Sequence, residues 1–286
     1  MSADSKDFIT PHITDSHHLE FPCFPDGWAP QACAYELPHW APIHIGPLTL
    51  DISPTKHVVM LFIAATLCLV TMLLALRAHQ KRTSTGAAPR GFGNGLEALV
   101  LYMRNEVVLP NVGHHGNGYV PFLLTLFFFI LFANLLGMIP YGSTATGNIS
   151  VTGMLAIVTF FVVELAGMKA LGAKGYAKTI VYWPHDMSLP MKLFISPILT
   201  PIELIGKFTK PFALAIRLFA NMTAGHVVLL ALISLIFTFG SYFLAPVPIL
   251  MALGISVLEL FVAFLQAFIF TLLASVFIGL IREGAH

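Results

Sequence analysis

Seven ionisable side chains interrupt long apolar stretches of this chain: Glu164, Glu203, Lys207, Lys210, Arg217, His226 and Glu259. Each costs about 2.5–3.5 kcal/mol to place in a bilayer on insertion scales, so each is a candidate for function. Glu203, Lys210 and Arg217 are spaced at seven residues, close to two helical turns, and Asn221 follows Arg217 by four, so all lie on one slowly drifting stripe. Lys207 and Lys210, near the start of their segment, read as snorkelling to headgroups. Arg217 lies ~10 Å further along the helix than Lys210. Its guanidinium cannot shed its proton, so it requires a carboxylate or a wet cleft.

The last two apolar segments are joined by a short connection near Ser241 and are expected to run antiparallel. Residues at one depth then have numbers with a nearly constant sum, which pairs His226 with Glu259 and Asn221 with Gln266. Plain interhelical hydrogen bonds are the simpler explanation. A histidine and a glutamate at one level also make a proton-accepting pair, beside an arginine that cannot relay a proton and repels cations. The pattern reads as a proton path with an electrostatic plug.

The elements that position these groups follow from composition. Of 286 residues, 57% are apolar and 10% charged, too few charges to coat a soluble globule, and a net charge of +1 without a basic cluster excludes nucleic acid. Stretches 58–76, 120–139 and 149–168 match the ~20 residues of a span. Segments 193–239 and 248–281 exceed a ~30 Å core at ~1.5 Å per residue, so strong tilt is expected. Residues 95–109 alternate apolar and charged positions as an interfacial amphipathic helix does. Lys and Arg number five in 77–104 and four in 169–192 but are absent from 140–148 and 239–248, which predicts the N-terminus outside and the C-terminus inside.

Residues 1–56 are polar and rich in Pro, His and aromatics, unlike a secretory signal, so the first apolar run is read as a true span. Cys23 and Cys33 in this segment either pair as a disulfide or stay free thiols. His12, His17 and His18 lack metal-ligand spacing. Glu164, close to Lys169, is explained equally well by a structural ion pair or exposure near the cytoplasmic interface and by function.

Residues 210–226, Lys-Pro-Phe-Ala-Leu-Ala-Ile-Arg-Leu-Phe-Ala-Asn-Met-Thr-Ala-Gly-His, resemble the signature helix of the subunit a family of F-type ATP synthases. Gln266-Ala267-Phe268-Ile269-Phe270, Asn134 to Pro140 and Asp51 extend the resemblance from about residue 50 to the C-terminus. It implies that a ring of c subunits slides past Arg217, each bringing a membrane carboxylate that ionises there. His226, Glu259, Asn221 and Gln266 would line an external half-channel, with Asn134 and Asn148 as further wall residues. Glu203 would mark the internal half-channel, and Arg217 would separate the two. Some relatives carry the acid and the histidine in exchanged positions, and some have an aspartate at Gly137. Asn148 is equally suited to cap the third span.

The expected protein is an all-α integral membrane protein with five crossings, an interfacial amphipathic helix, and two long tilted helices forming a hairpin against the c-ring. Three regions are expected: an extracytoplasmic segment (1–56), peripheral membrane helices (57–192) and the hairpin (193–286). The resemblance implies a non-catalytic, proton-translocating channel subunit of a bacterial plasma (inner) membrane, without cofactor or metal. Its partners would be the c-ring, b-type peripheral stalk subunits, the rest of the FoF1 complex and lipid. No phosphate-binding loop is present for ATP chemistry. A self-contained transporter is disfavoured by the lack of internal repeats. An intramembrane hydrolase using Ser234 or Ser256 is disfavoured by the lack of a G-x-S-x-G elbow.

Overall fold

A computed structural model describes residues 14–23, 31–40, 42–45, 48–51, 53–85, 92–113, 116–139, 142–180, 189–239 and 245–283. Among the described residues five helices are long and apolar enough to cross a membrane, and they make the membrane part of the protein all-α. They are α1 (Lys56–Thr85), α4 (Val120–Gly137), α5 (Ile149–Ile180), α6 (Leu189–Phe239) and α7 (Pro246–Glu283). Helix α6 has 51 residues and α7 has 38. At ~1.5 Å per residue they run to about 76 and 57 Å, well beyond a ~30 Å hydrocarbon core. Pro197, Pro201 and Pro211 lie inside α6, each removing a backbone donor where curvature is tolerated.

The expected interfacial helix is broken in three. Helix α2 (Phe92–Tyr102) passes through a π-helical stretch, Met103–Val108, into the short α3 (Leu109–Val112). The wider π turn sets Met103, Val107 and Val108 inward, leaving Leu101 and Tyr102 exposed.

The chain packs as two compact units, residues 1–72, 129–151 and 218–266 in one and 73–128, 152–217 and 267–286 in the other. The first unit holds the N-terminal segment, which contains two strand pairs among its described residues. Strands β1 (His18–Cys23) and β2 (Gln31–Glu36) pair antiparallel, as do β3 (Ile43–Ile45) and β4 (Leu48–Leu50). The register sets Cys23 opposite Gln31 and Cys33 opposite Phe21. The side chains of Cys23 and Cys33, which the disulfide expectation concerns, lie outside those described, as do residues 1–13 with His12 and the turn at Ser241.

This segment is fastened to the start of α1. The Lys56 amide donates to the Ser16 carbonyl at 2.9 Å, and the buried His57 ring lies 3.4 Å from Asp15. Ser53 donates to Asp51 Oδ1 from its hydroxyl at 2.5 Å and from its amide at 2.9 Å. Those bonds, with His17 and His39 nearby, hold the Asp51 carboxyl below its ordinary pKa. In the second unit, the Arg282 guanidinium near the end of α7 donates to the Val112 carbonyl at 2.9 Å and stacks over Tyr119.

Candidate functional site

Within the first unit, α6 and α7 bring together the four polar residues matched by depth. His226 Nδ1 lies 3.4 Å from Glu259 Oε1, within ion-pair reach but without hydrogen-bond alignment. The Asn221 amide donates to Gln266 Oε1 at 3.0 Å. Glu259 and Gln266, seven apart on α7, share its buried face, since both are at most 5% exposed. Close approach depends on small neighbours: a Cβ at Gly225 would lie 2.9 Å from Glu259 Oε1, and one at Gly137 would lie 3.0 Å from His226 Nε2.

Four buried polar atoms of this region have no hydrogen-bond partner among the described residues: His226 Nε2, Glu259 Oε1, Gln266 Nε2 and Thr223 Oγ1. Buried polar groups in folded proteins are paired as a rule, because an unpaired one costs about 1–3 kcal/mol. Four at once, on two facing helices, fit a site built to exchange protons or bind water rather than a sealed core.

Asn134 and Asn148 have bonds of their own. Asn134 is fully enclosed, donates to the Ala263 carbonyl at 3.2 Å and accepts from the Thr146 hydroxyl at 2.7 Å. Asn148 accepts from the Ser150 amide at 2.9 Å, which caps α5, while its amide lies 3.2 Å from His57 Nδ1 and 3.4 Å from Asp15. Ser234 and Ser256 donate to carbonyls of their own helices, so neither is held as a nucleophile.

In the second unit Arg217 is exposed on α6, and no carboxylate of the described residues lies within ion-pair distance. Phe208, Phe212 and Ile216 before it are exposed as well, so the arginine sits on a largely uncovered apolar stretch of the helix.

Glu203 lines a cavity of about 130 Å³ bounded by α5, α6 and α7. Two readings from the sequence are corrected here. Lys207 does not snorkel: its side chain is 11% exposed, and Nζ donates to Thr179 Oγ1 at 3.2 Å while lying over the Tyr176 ring. The ion-pair partner of Glu164 is Lys207, at 3.7 Å, whereas Lys169 is exposed. Tyr176 donates to Glu164 Oε2.

Tyr176 follows Glu164 by twelve residues, ~18 Å along a straight helix. The contact exists because α5 breaks at Gly172, where φ is 69° and ψ 168°, a region open essentially to glycine alone. Sequence spacing gave no hint of Tyr176 or Thr179; Gly172 itself was the available signal.

The fold and these groups define a polytopic membrane protein whose last two helices hold facing acid, base and amide side chains, and whose helix α6 carries an exposed arginine without a carboxylate partner among the described residues. Residues 58–279 match the ATP synthase A chain family. ATP synthase subunit a of Chloroherpeton thalassium is 45% identical over 269 residues, 94% of this chain and 74% of the relative. ATP synthase subunit a 2 of Chlorobium luteolum is 47% identical over 275 residues, 96% and 75% of the two chains. ATP synthase subunit a of Anaeromyxobacter dehalogenans is 43% identical over 276 residues, 96% and 70%. The chain belongs to the ATP synthase subunit a family.

Proposed function

We propose that this chain is the proton-conducting stator subunit of a bacterial FoF1 ATP synthase, passing protons through two offset half-channels to and from the carboxylates of a c-ring. The observation that carries this reading is the cluster of four unpartnered buried polar atoms on α6 and α7 around His226 and Glu259. A bilayer tolerates such a cluster only where water or a transferred proton completes it.

Protons enter from outside past Asn148 and Asn134, whose bonds hold the wall in place, and then move along His226 and Glu259, with Asn221 and Gln266 beyond. Arg217 draws the ionised carboxylate of a passing c subunit and, being permanently charged, blocks direct flow between the half-channels. No described residue of this chain supplies its partner, which fits a carboxylate brought by another chain, and the exposed apolar residues Phe208, Phe212 and Ile216 of α6 give a ring room to pass. Protons leave inside by way of Glu203. Residues 193–286 then form the working hairpin, 57–192 its support with sites for a b-type stalk, and 1–56 an extracytoplasmic cover. The distribution of basic residues supports an N-terminus outside the plasma membrane and a C-terminus in the cytoplasm.

The test is proton flux in liposomes holding the whole complex. Arg217→Ala abolishes ATP-driven pumping while the complex stays assembled, and a passive leak appears. Glu259→Gln slows flux by roughly 10²-fold, the usual contribution of a positioned proton-transfer group. Undiminished coupled pumping in both variants overturns the reading.

A further inference from the structure

Glu164 is the buried carboxylate that the path described above leaves unused, and it opens on the same cavity as Glu203. Resting on the half-channel reading, we propose that Glu164 is a second proton-exchanging group of the internal half-channel, with Lys207 and Tyr176 as its positioning residues.

The cavity of about 130 Å³ is large enough for several waters, since one water takes ~30 Å³ in the liquid. Its walls supply what such waters need: Glu164 and Thr179 from α5, and Glu203, Lys207 and Lys210 from α6. Helix α7 contributes Phe277, Leu280 and Ile281, none titratable, and Lys210 lies over the Phe277 ring. Arg282, next along α7, is directed to Val112 and Tyr119 instead. The titratable groups facing Glu164 among the described residues are therefore Tyr176, Glu203, Lys207 and Lys210.

The local bonds suit a group that changes protonation state. Lys207 neutralises the carboxylate at 3.7 Å, longer than a hydrogen bond, so the pair is loose. When Glu164 takes up a proton, the ammonium keeps its bond to Thr179 and its place over the Tyr176 ring, so neither state strands a buried cation. Tyr176 and Lys207 both address Oε2, which leaves Oε1 for exchange.

The step moves one proton and alters nothing else. The O–H bond of a protonated Glu203 breaks as an intervening water gains that proton. The water passes one of its own to Glu164 Oε1, and Glu164 then releases a proton to cytoplasmic water and returns to carboxylate. A static ion pair would need neither the cavity nor the loose spacing.

The experiment measures passive and ATP-driven proton flux against cytoplasmic-side pH in inverted vesicles containing the whole complex. The set is parent, Glu164→Gln, Glu164→Asp, the double variant Glu164→Gln with Lys207→Gln, and Arg217→Ala. Exchange through Glu164 predicts flux lowered roughly 10²-fold in Glu164→Gln with a changed pH profile, recovered in Glu164→Asp, and still low in the charge-free double variant. A purely structural pair predicts the opposite for the double variant, because removing both charges relieves the stranded lysine. Parental flux and pH profile in Glu164→Gln, or in the double variant should the single one fail to assemble, overturn the proposal. Coupled pumping that persists in Arg217→Ala overturns the half-channel reading itself; its loss there, with Glu164→Gln unchanged, removes only the role of Glu164.

Discussion

Asn134 illustrates how much of the polar packing in the first unit rests on single side chains. Its amide joins the Ala263 carbonyl of α7 to the Thr146 hydroxyl, which in turn meets Thr144 at 2.9 Å. Leucine there fills similar space but removes both bonds, to the Ala263 carbonyl and from the Thr146 hydroxyl, and leaves Thr146 with Thr144 alone, a loss of about 1–3 kcal/mol for the two bonds together. Asn134→Leu is therefore expected to lower the thermal inactivation midpoint of the detergent-solubilised complex, whereas Asn148→Ala, which removes a cap, costs closer to ~1 kcal/mol. Equal midpoints would assign Asn134 no structural part. His226 and Glu259 present the reverse case, with polar atoms left unpartnered. The same helices thus carry bonded polar groups and, among the described residues, polar groups without a bond.

At the scale of elements, the break in α5 decides the inner cavity. Gly172 adopts a backbone conformation that an alanine enters only at a cost of about 1–3 kcal/mol. Gly172→Ala is expected to straighten or destabilise the segment that returns Tyr176 and Thr179 towards Glu164 and Lys207. Faster proteolysis of residues 173–180 and a lower melting temperature of the complex are the measurements; an unchanged pattern would show that the break is not held by glycine. Helix α6 follows another logic. Its stripe of Glu203, Lys210 and Arg217 was legible from spacing, because a helix is periodic and every position on it is fixed by the count from its neighbour. The π-helical stretch Met103–Val108 was not, because one extra residue per turn leaves hardly a trace in a pattern of apolar and charged positions.

For the whole molecule the testable matter is orientation. The basic loops predict that a cysteine at Asn117 is labelled by an impermeant maleimide from the cytoplasmic side and one at Ser150 from the outside, in a background without Cys23, Cys33 and Cys68. The reverse pattern would turn the path around and exchange the sides given to Glu203 and Glu259. Much of the rest could be read before any coordinates. Low charge, five long apolar stretches and the signature around Arg217 define the family, and the depth match of His226 with Glu259 and Asn221 with Gln266 follows from two antiparallel helices.

The sequence alone determined how many helices can span, which residues share a face and which ionisable groups need explaining, because span length and helical period are local properties of a chain. Tertiary structure alone decided that Glu164 meets Lys207 and Tyr176 rather than Lys169, that Asn134 ties Thr146 to α7, and that the N-terminal strands fasten to α1 through Ser16 and Asp15. These contacts join positions separated by a glycine break or by many residues, and no local period records where a chain that turns back comes to rest.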